Sequence, residues 1–205
     1  MHQRAGMPVA GVKKGLDACA SPQEALRELC APFLSGKPEE IACEEVGKDQ
    51  MPEPFHWLLV HRNHMTKVLE AQYGRPMELE VLEHHLDDDS YTRKIILRPA
   101  GTDVVVEFGV VRLKLQYVSA EVRKEILERK TPLGAILIRH KVLRRVEPKW
   151  YLRFPARAHL PAQAGVTFDH VTYGRVGIIH CNEEPAIELL EIVSGLEKTF
   201  DERVV

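Results

Sequence analysis

Residues 171–181 and 186–193 are two apolar runs rich in Val, Ile and Leu, and only Asn182-Glu183-Glu184-Pro185 separates them. Four polar or turn-forming residues between two strand-like runs read as a hairpin, so the runs predict antiparallel neighbours. Similar runs lie upstream. Met77, Leu79 and Val81 alternate with acids, residues 91–97 follow the loop Asp87-Asp88-Asp89-Ser90, and residues 104–115 follow the turn at Gly101. Strands in sequence with short turns and few helices between them predict an α+β domain: a mainly antiparallel β-sheet with helices packed on it.

Four helices are expected against that sheet. Ser21, Pro22 and Glu24 have the order of a capped helix start for residues 21–34. Met65, Val68, Leu69 and Tyr73 have helical spacing and are closed by Gly74. Ser119 caps residues 120–129. Thr131 as N-cap with Pro132 next predicts a helix whose apolar face carries Leu133, Ile136, Leu137 and His140. In the first fifty residues, by contrast, Gly6, Pro8, Gly11, Gly15, Pro22, Pro32, Gly36 and Pro38 interrupt almost every candidate element.

Charge narrows the function. In 205 residues, 28 Lys and Arg face 30 Asp and Glu, a net charge of −2, whereas a general nucleic-acid binder carries a clear basic excess. No run approaches the apolar length of a membrane span, and the start of the chain has no signal-type apolar run, so a cytoplasmic protein without membrane insertion is expected. Cys19, Cys30, Cys43 and Cys181 form no CxxC pair. They read as cytosolic thiols, with a Cys19–Cys43 disulfide as the alternative. The balance is uneven, however. Residues 70–90 hold seven acids and one base, and residues 139–157 hold seven bases and one acid. The basic run lacks interleaved aromatics for base stacking and reads as a solvated strand or loop face.

Strand parity supplies the functional hint. Tyr91, Arg93, Ile95 and Leu97 share one face, and Thr92, Lys94 and Ile96 the other. Ile187, Leu189, Glu191 and Val193 likewise share a face, with Glu188 opposite. Arg93 and Glu191 are therefore charges among large apolar side chains, and an unpartnered buried charge costs several kcal/mol. They pair with each other, lie at a wet sheet edge, belong to strands whose parity slips at a bulge, or line a ligand pocket. The helix start at Thr131 adds backbone N–H groups suited to an anion.

At these residues the chain resembles the chorismate lyases, a family sharing its fold with ligand-binding domains of some bacterial transcription regulators. Asn63-His64-Met65-Thr66, the strand Tyr91-Thr92-Arg93-Lys94-Ile95-Ile96-Leu97, Lys130-Thr131-Pro132-Leu133-Gly134, Tyr173-Gly174-Arg175 and the closing strand from Pro185 to Glu191 are similar to family motifs and occur in family order. The match runs over residues 55–193, within a domain of residues 51–205. Residues 1–50 are then an N-terminal extension, partly ordered, without a family counterpart. Departures mark a divergent branch: Tyr173 stands where the family has Trp, no second Arg follows Arg175, and residues 139–161 match nothing.

The resemblance implies a lyase that converts chorismate to 4-hydroxybenzoate and pyruvate with no metal or organic cofactor. It implies Arg93 and Glu191 as catalytic residues, Arg93 on the ring carboxylate and Glu191 on the oxygen para to it. Met65, Leu133 and Gly134 would line the substrate site through backbone groups. Arg175, or else the basic 139–157 segment, would take the second carboxylate. The alternative is a non-catalytic binding module for a small aromatic carboxylic acid, although residues 1–50 hold no convincing helix-turn-helix. A third reading is an enzyme acting on another small substrate, such as a thioester. His61, His64, His84 and His85 are expected as solvated residues rather than metal ligands, since no HExxH is present and adjacent strand histidines face opposite ways.

Overall fold

The computed structural model describes residues 15–34, 41–88, 90–158 and 166–195. Gly6, Pro8, Gly11, Gly36, Pro38 and Asp89, named above, lie outside them. Among the described residues, seven strands form one sheet: β1 (Glu44–Val46), β2 (Met77–Leu86), β3 (Tyr91–Pro99), β4 (Glu107–Leu113), β5 (Arg144–Phe154), β6 (Thr172–Cys181) and β7 (Glu184–Val193). Their spatial order is β1-β5-β6-β7-β4-β3-β2, and every pairing is antiparallel. The helices are α1 (Pro22–Cys30), α2 (Phe55–Leu59), α3 (Met65–Tyr73), α4 (Ala120–Glu128) and α5 (Leu133–Arg139). The class is α+β, as the strand pattern predicts.

The last hairpin turns on two residues, Asn182 (φ 52°) and Glu183 (φ 69°), both in the positive-φ region that a type I′ turn requires. Thr131 is not an N-cap. Pro132 takes that position in extended conformation (ψ 139°), so α5 starts at Leu133 and Thr131 lies one residue outside it. The Pro132 carbonyl accepts from the N–H groups of Ala135 and Ile136, as an N-cap carbonyl does. The expected strand 104–115 is shorter than predicted, and β5 lies inside the basic segment. There Val146, Leu152 and Phe154 are buried while charged neighbours obscure the alternation.

Both faces of the sheet are covered. On one, Phe108, Val110, Leu190 and Ile192 pack with Leu26, Leu29 and Phe33 of α1 and the turn after it. The described parts of residues 1–50 therefore contribute core, each fully buried Leu adding about 1.5–3 kcal/mol of burial. On the other face the core divides into two clusters. α4 and α5 cover Leu113, Ile179 and Ile187, while α2 and α3 cover Ile95, Leu97 and Val193. A seam runs between them, and the candidate site lies in it.

The α1 face has its own buried charge. Glu188 accepts from Arg112 Nε at 2.6 Å and Nη2 at 2.5 Å, and from the backbone N–H of Leu16 at 2.8 Å. Arg112 Nη1 donates to the Glu28 carbonyl at 3.3 Å. This network ties the segment leading into α1 to β4 and β7. Removing one partner strands the other in low dielectric, so Glu188→Ala is expected to lose about 3–5 kcal/mol. Urea unfolding would read this as a lower midpoint at unchanged slope. A loss under roughly 1 kcal/mol would show that Arg112 regains water when its partner goes.

Candidate functional site

Cross-strand register lays out the floor of the site. Arg93 lies opposite Val111, and Val111 opposite Leu189. In the next row of the same face, Ile95 pairs with Gly109, Gly109 with Glu191, and Glu191 with Arg175. Leu97, Glu107, Val193 and Tyr173 make the third row. Three charged residues, Arg93, Glu107 and Glu191, thus share a face with the core apolar residues, and all three line one cavity. The register shift in the β6–β7 pair falls at Ile179 and His180, away from Glu191, so the parity reading of both strands holds.

Arg93 is 1% exposed, and its Nε and Nη1 have no hydrogen-bond partner. Burial pushes its guanidinium below the usual arginine range, against an upward pull from the Tyr91 hydroxyl nearby, whose geometry satisfies neither Nε nor Nη1, and an arginine remains a cation at any ordinary pH. Glu191 does not pair with it. Glu191 Oε2 accepts from Arg175 Nε at 2.6 Å instead, so the Arg93–Glu191 pair that the faces allowed is not formed.

Arg175 is itself fully committed to the protein. Its Nη1 donates to the carbonyls of Leu59 (3.1 Å) and His61 (3.0 Å) and lies 3.2 Å from His61 Nδ1. It therefore fastens the turn between α2 and α3 to the sheet and is not among the cavity-lining residues. The adjacent Gly174 explains part of the Tyr-Gly-Arg element: a Cβ there would meet the Glu191 carbonyl at 2.6 Å.

The roof comes from two helix starts. Met65 is the first residue of α3 and Leu133 the first of α5, and both line the cavity with Gly134. First-turn N–H groups have no partner within their helix. The two starts abut, since a Cβ on Gly134 would meet His64 Cβ at 3.0 Å and Thr66 Oγ1 at 3.3 Å. The cavity holds about 50 Å³. That is room for a carboxylate group or a few waters and less than an aromatic ring needs, so a ring requires the two helix starts to part.

Glu107 escaped the sequence reading. It is 3% exposed, lines the cavity, and its Oε2 has no partner. Burial first, and then the neighbouring Glu191 charge, hold its carboxyl well above the usual range, against a downward pull from Arg175. That direction favours its protonated form, which is an O–H donor. The parity argument could have found it, because Glu107 shares its face with Gly109, Val111 and Leu113. Starting the strand at Val104 hid it in a continuous apolar run.

His61 and His64 are not solvated, contrary to expectation. His61 Nε2 lies 2.7 Å from the Leu58 carbonyl, which makes that nitrogen the donor and leaves Nδ1 to accept from Arg175. His64 is buried, and its Nε2 accepts from Arg144 Nε. Burial, then the facing arginine charges, pushes both imidazoles down to about 4. His84 and His85 do face opposite ways, His84 toward the Tyr91 ring and His85 toward Phe33. Among the described residues no three His, Cys, Asp or Glu side chains gather as a metal site. The four cysteines are present as thiols, and no described helix is long and apolar enough to cross a membrane.

His64 and Arg144 also border a wider groove of about 810 Å³ on the outer side of the roof. Arg62, Lys67, Lys141 and Arg144 line it with no acid among them, beside the exposed Trp57 and Leu143. The basic segment of the sequence thus contributes Arg144 and Lys141 next to the cavity.

No protein-family model matches the chain, and no curated protein does. Among solved structures, PhnF from Mycobacterium smegmatis is similar with a TM-score of 0.48 and 13% identity, over 66% of this chain and 65% of that one. YydK from Bacillus subtilis, a possible transcriptional regulator, is similar with a TM-score of 0.38 and 10% identity, over 57% of this chain and 58% of that one. The chain spans a little under two thirds of the PhnF chain.

The neutral histidines make a pH prediction. Folded, both titrate near 4, against 6.5 unfolded, so below 6.5 the unfolded chain binds more protons. The stability they contribute is present above pH 6.5 and is lost as pH falls toward 4. Thermal melts should show Tm dropping between pH 7 and pH 5. His64→Gln, which keeps an acceptor for Arg144, should flatten that slope; an unchanged slope in His61→Gln and His64→Gln alike would refute the assignment.

Proposed function

We propose that the seam cavity binds a small aromatic carboxylic acid, with Arg93 holding its carboxylate. One observation carries this reading: a fully buried guanidinium with two N–H-bearing nitrogens that no protein acceptor satisfies. Burying such a cation is costly, and a carboxylate offers two oxygens in the geometry a guanidinium fits. The first N–H groups of α3 at Met65 and of α5 at Leu133 and Gly134 add the positive ends of two short helices from above. The apolar walls, Leu79, Ile95, Leu97 and Leu189, suit a ring.

A second reading is catalytic: removal of the enolpyruvyl group of chorismate to give 4-hydroxybenzoate and pyruvate. It is favoured by Glu191, a carboxylate that lines the same cavity and is oriented by Arg175, where it can take the proton released as the ring becomes aromatic. Arg175 is spent on that duty, so the second carboxylate of chorismate would fall to Arg144 or Lys141 at the groove. Ring binding without turnover is the simpler function, and it needs only Arg93, the helix starts and the apolar walls.

Calorimetric titration with 4-hydroxybenzoate tests the first reading. Arg93→Met should weaken binding by about 100-fold or more, as expected when one partner of a buried, hydrogen-bonded charge pair is removed. The same substitution should leave Tm unchanged or raise it, because it exchanges an unpartnered charge for an apolar side chain of similar length. Equal affinity in wild type and Arg93→Met would sink the proposal. Incubation with chorismate separates the two readings: 4-hydroxybenzoate and pyruvate in equal amounts establish the lyase, and saturable binding without product leaves the binding module.

A further inference from the structure

The cavity holds one polar group that the Arg93 reading leaves unused. Glu107 stands two rows from Arg93 on the shared face, separated from it by the row of Ile95, Gly109 and Glu191. Two rows span roughly 13 Å of strand, and in the row between them Gly109 places no side chain of its own, the Ile95 side chain lying against it. Arg93 therefore marks one pole of the cavity and Glu107 the other.

We propose that Glu107 is a second recognition group of this site, one that meets a hydroxyl at the end of the ligand remote from its carboxylate. This rests on Arg93 holding that carboxylate. The Glu107 Oε2 is buried, lines the cavity and finds no partner on the protein. Its neighbour Glu191 also faces the cavity, with Oε2 tied to Arg175 Nε at 2.6 Å. The two carboxyls differ in their surroundings: Glu191 is ion-paired to the Arg175 guanidinium, whereas burial first, and then the Glu191 neighbour, push the Glu107 carboxyl well above the usual range.

A carboxyl that burial favours in its protonated form, beside one ion-paired to a guanidinium, sets a donor beside an acceptor. A ligand hydroxyl satisfies both, its oxygen accepting from Glu107 and its proton donated to Glu191. An apolar substituent there leaves the buried Glu107 O–H unmet, and a second carboxylate meets the Glu191 charge. The other ionisable groups around this pole are Arg175 from β6, which is paired to Glu191, and His64 from the roof, which is neutral and bonded to Arg144. None supplies a cation free to accept a second carboxylate.

Calorimetry at pH 7 with 4-hydroxybenzoate, 4-methylbenzoate and terephthalate tests this on the full chain. The methyl compound closely matches the phenol in size, and terephthalate carries the second anion. Wild type should bind 4-hydroxybenzoate about tenfold more tightly than 4-methylbenzoate, the effect of one buried donor left unmet. Terephthalate should bind most weakly. Glu107→Leu should bring the phenol and methyl compounds within about twofold of each other, and Glu107→Gln, which keeps an N–H donor of similar shape, should retain the preference. Should Glu107→Leu fail to fold, Glu107→Met reads the same ratio. A tenfold preference persisting without the donor overturns the proposal. If wild type binds all three acids equally, Glu107 is eliminated and the Arg93 reading stands; if it binds none, both fall.

Discussion

The Arg175 guanidinium does two things at once on the helical side of the sheet. Through Nε it fixes the Glu191 carboxylate, through Nη1 it gathers the Leu59 and His61 carbonyls and the His61 ring, and through Nη2 it reaches the Asn63 carbonyl at 3.5 Å. The turn between α2 and α3 is thereby fastened to β6. α3 begins two residues beyond this clamp, so the position of Met65 over the cavity follows from it. Without that clamp the roof on the α3 side would be left to the Arg144–His64 hydrogen bond and to apolar contacts, which are not directional. Gly174 is part of the same device, because only a residue without Cβ lets the β6 backbone pass the Glu191 carbonyl at this distance.

Three arginines on the central strands are almost equally buried, yet only two are paired. Arg112 has Glu188 and Arg175 has Glu191, each with nitrogen–oxygen distances of 2.5–2.6 Å. Those pairs offset their desolvation with short, charge-assisted hydrogen bonds and tie together segments distant in sequence. Arg93 has the burial without the acid. Local strain at functional sites is commonly sustained by the stability of the surrounding fold, and a charge of this kind belongs in the same category. The two satisfied arginines thus serve as internal controls: the fold can supply acids to buried guanidinium groups, and at Arg93 it supplies none.

The sheet was legible because its register is written in apolar alternation and in one short turn. Parity placed Arg93 and Glu191 on the faces they occupy in β3 and β7, from the shorter runs 91–97 and 186–193. What parity could not provide was the partner. Arg175 stands sixteen residues from Glu191 along the chain, and its pairing depends on how β6 lies against β7. Alternation in β5 was hidden because Arg and Lys stems can lie along apolar surface while their heads reach water. His61 and His64 were illegible for a related reason. Their neutrality comes first from burial and then from arginines more than seventy residues away in sequence, and nothing in an HxxH spacing announces either. Glu107 was accessible to the same parity reasoning and was lost only through a strand start placed three residues early.

The small volume of the cavity follows from how its roof is built. Gly134 sits against His64 and Thr66, so the starts of α3 and α5 touch where a ring would have to enter. Each side of that contact is held differently. The α3 side is clamped by Arg175, whereas α5 is a seven-residue helix preceded by the Thr131-Pro132 segment and joined to the sheet through apolar contacts at Ile136 and Leu137. Arg144 adds a tie from β5 to His64, again on the α3 side. Apolar packing can slide where a buried hydrogen-bonded pair must break. The α5 side is therefore the less constrained of the two, since Leu133 and Gly134 are held by apolar packing whereas Met65 follows a buried ion pair and the Arg144–His64 hydrogen bond.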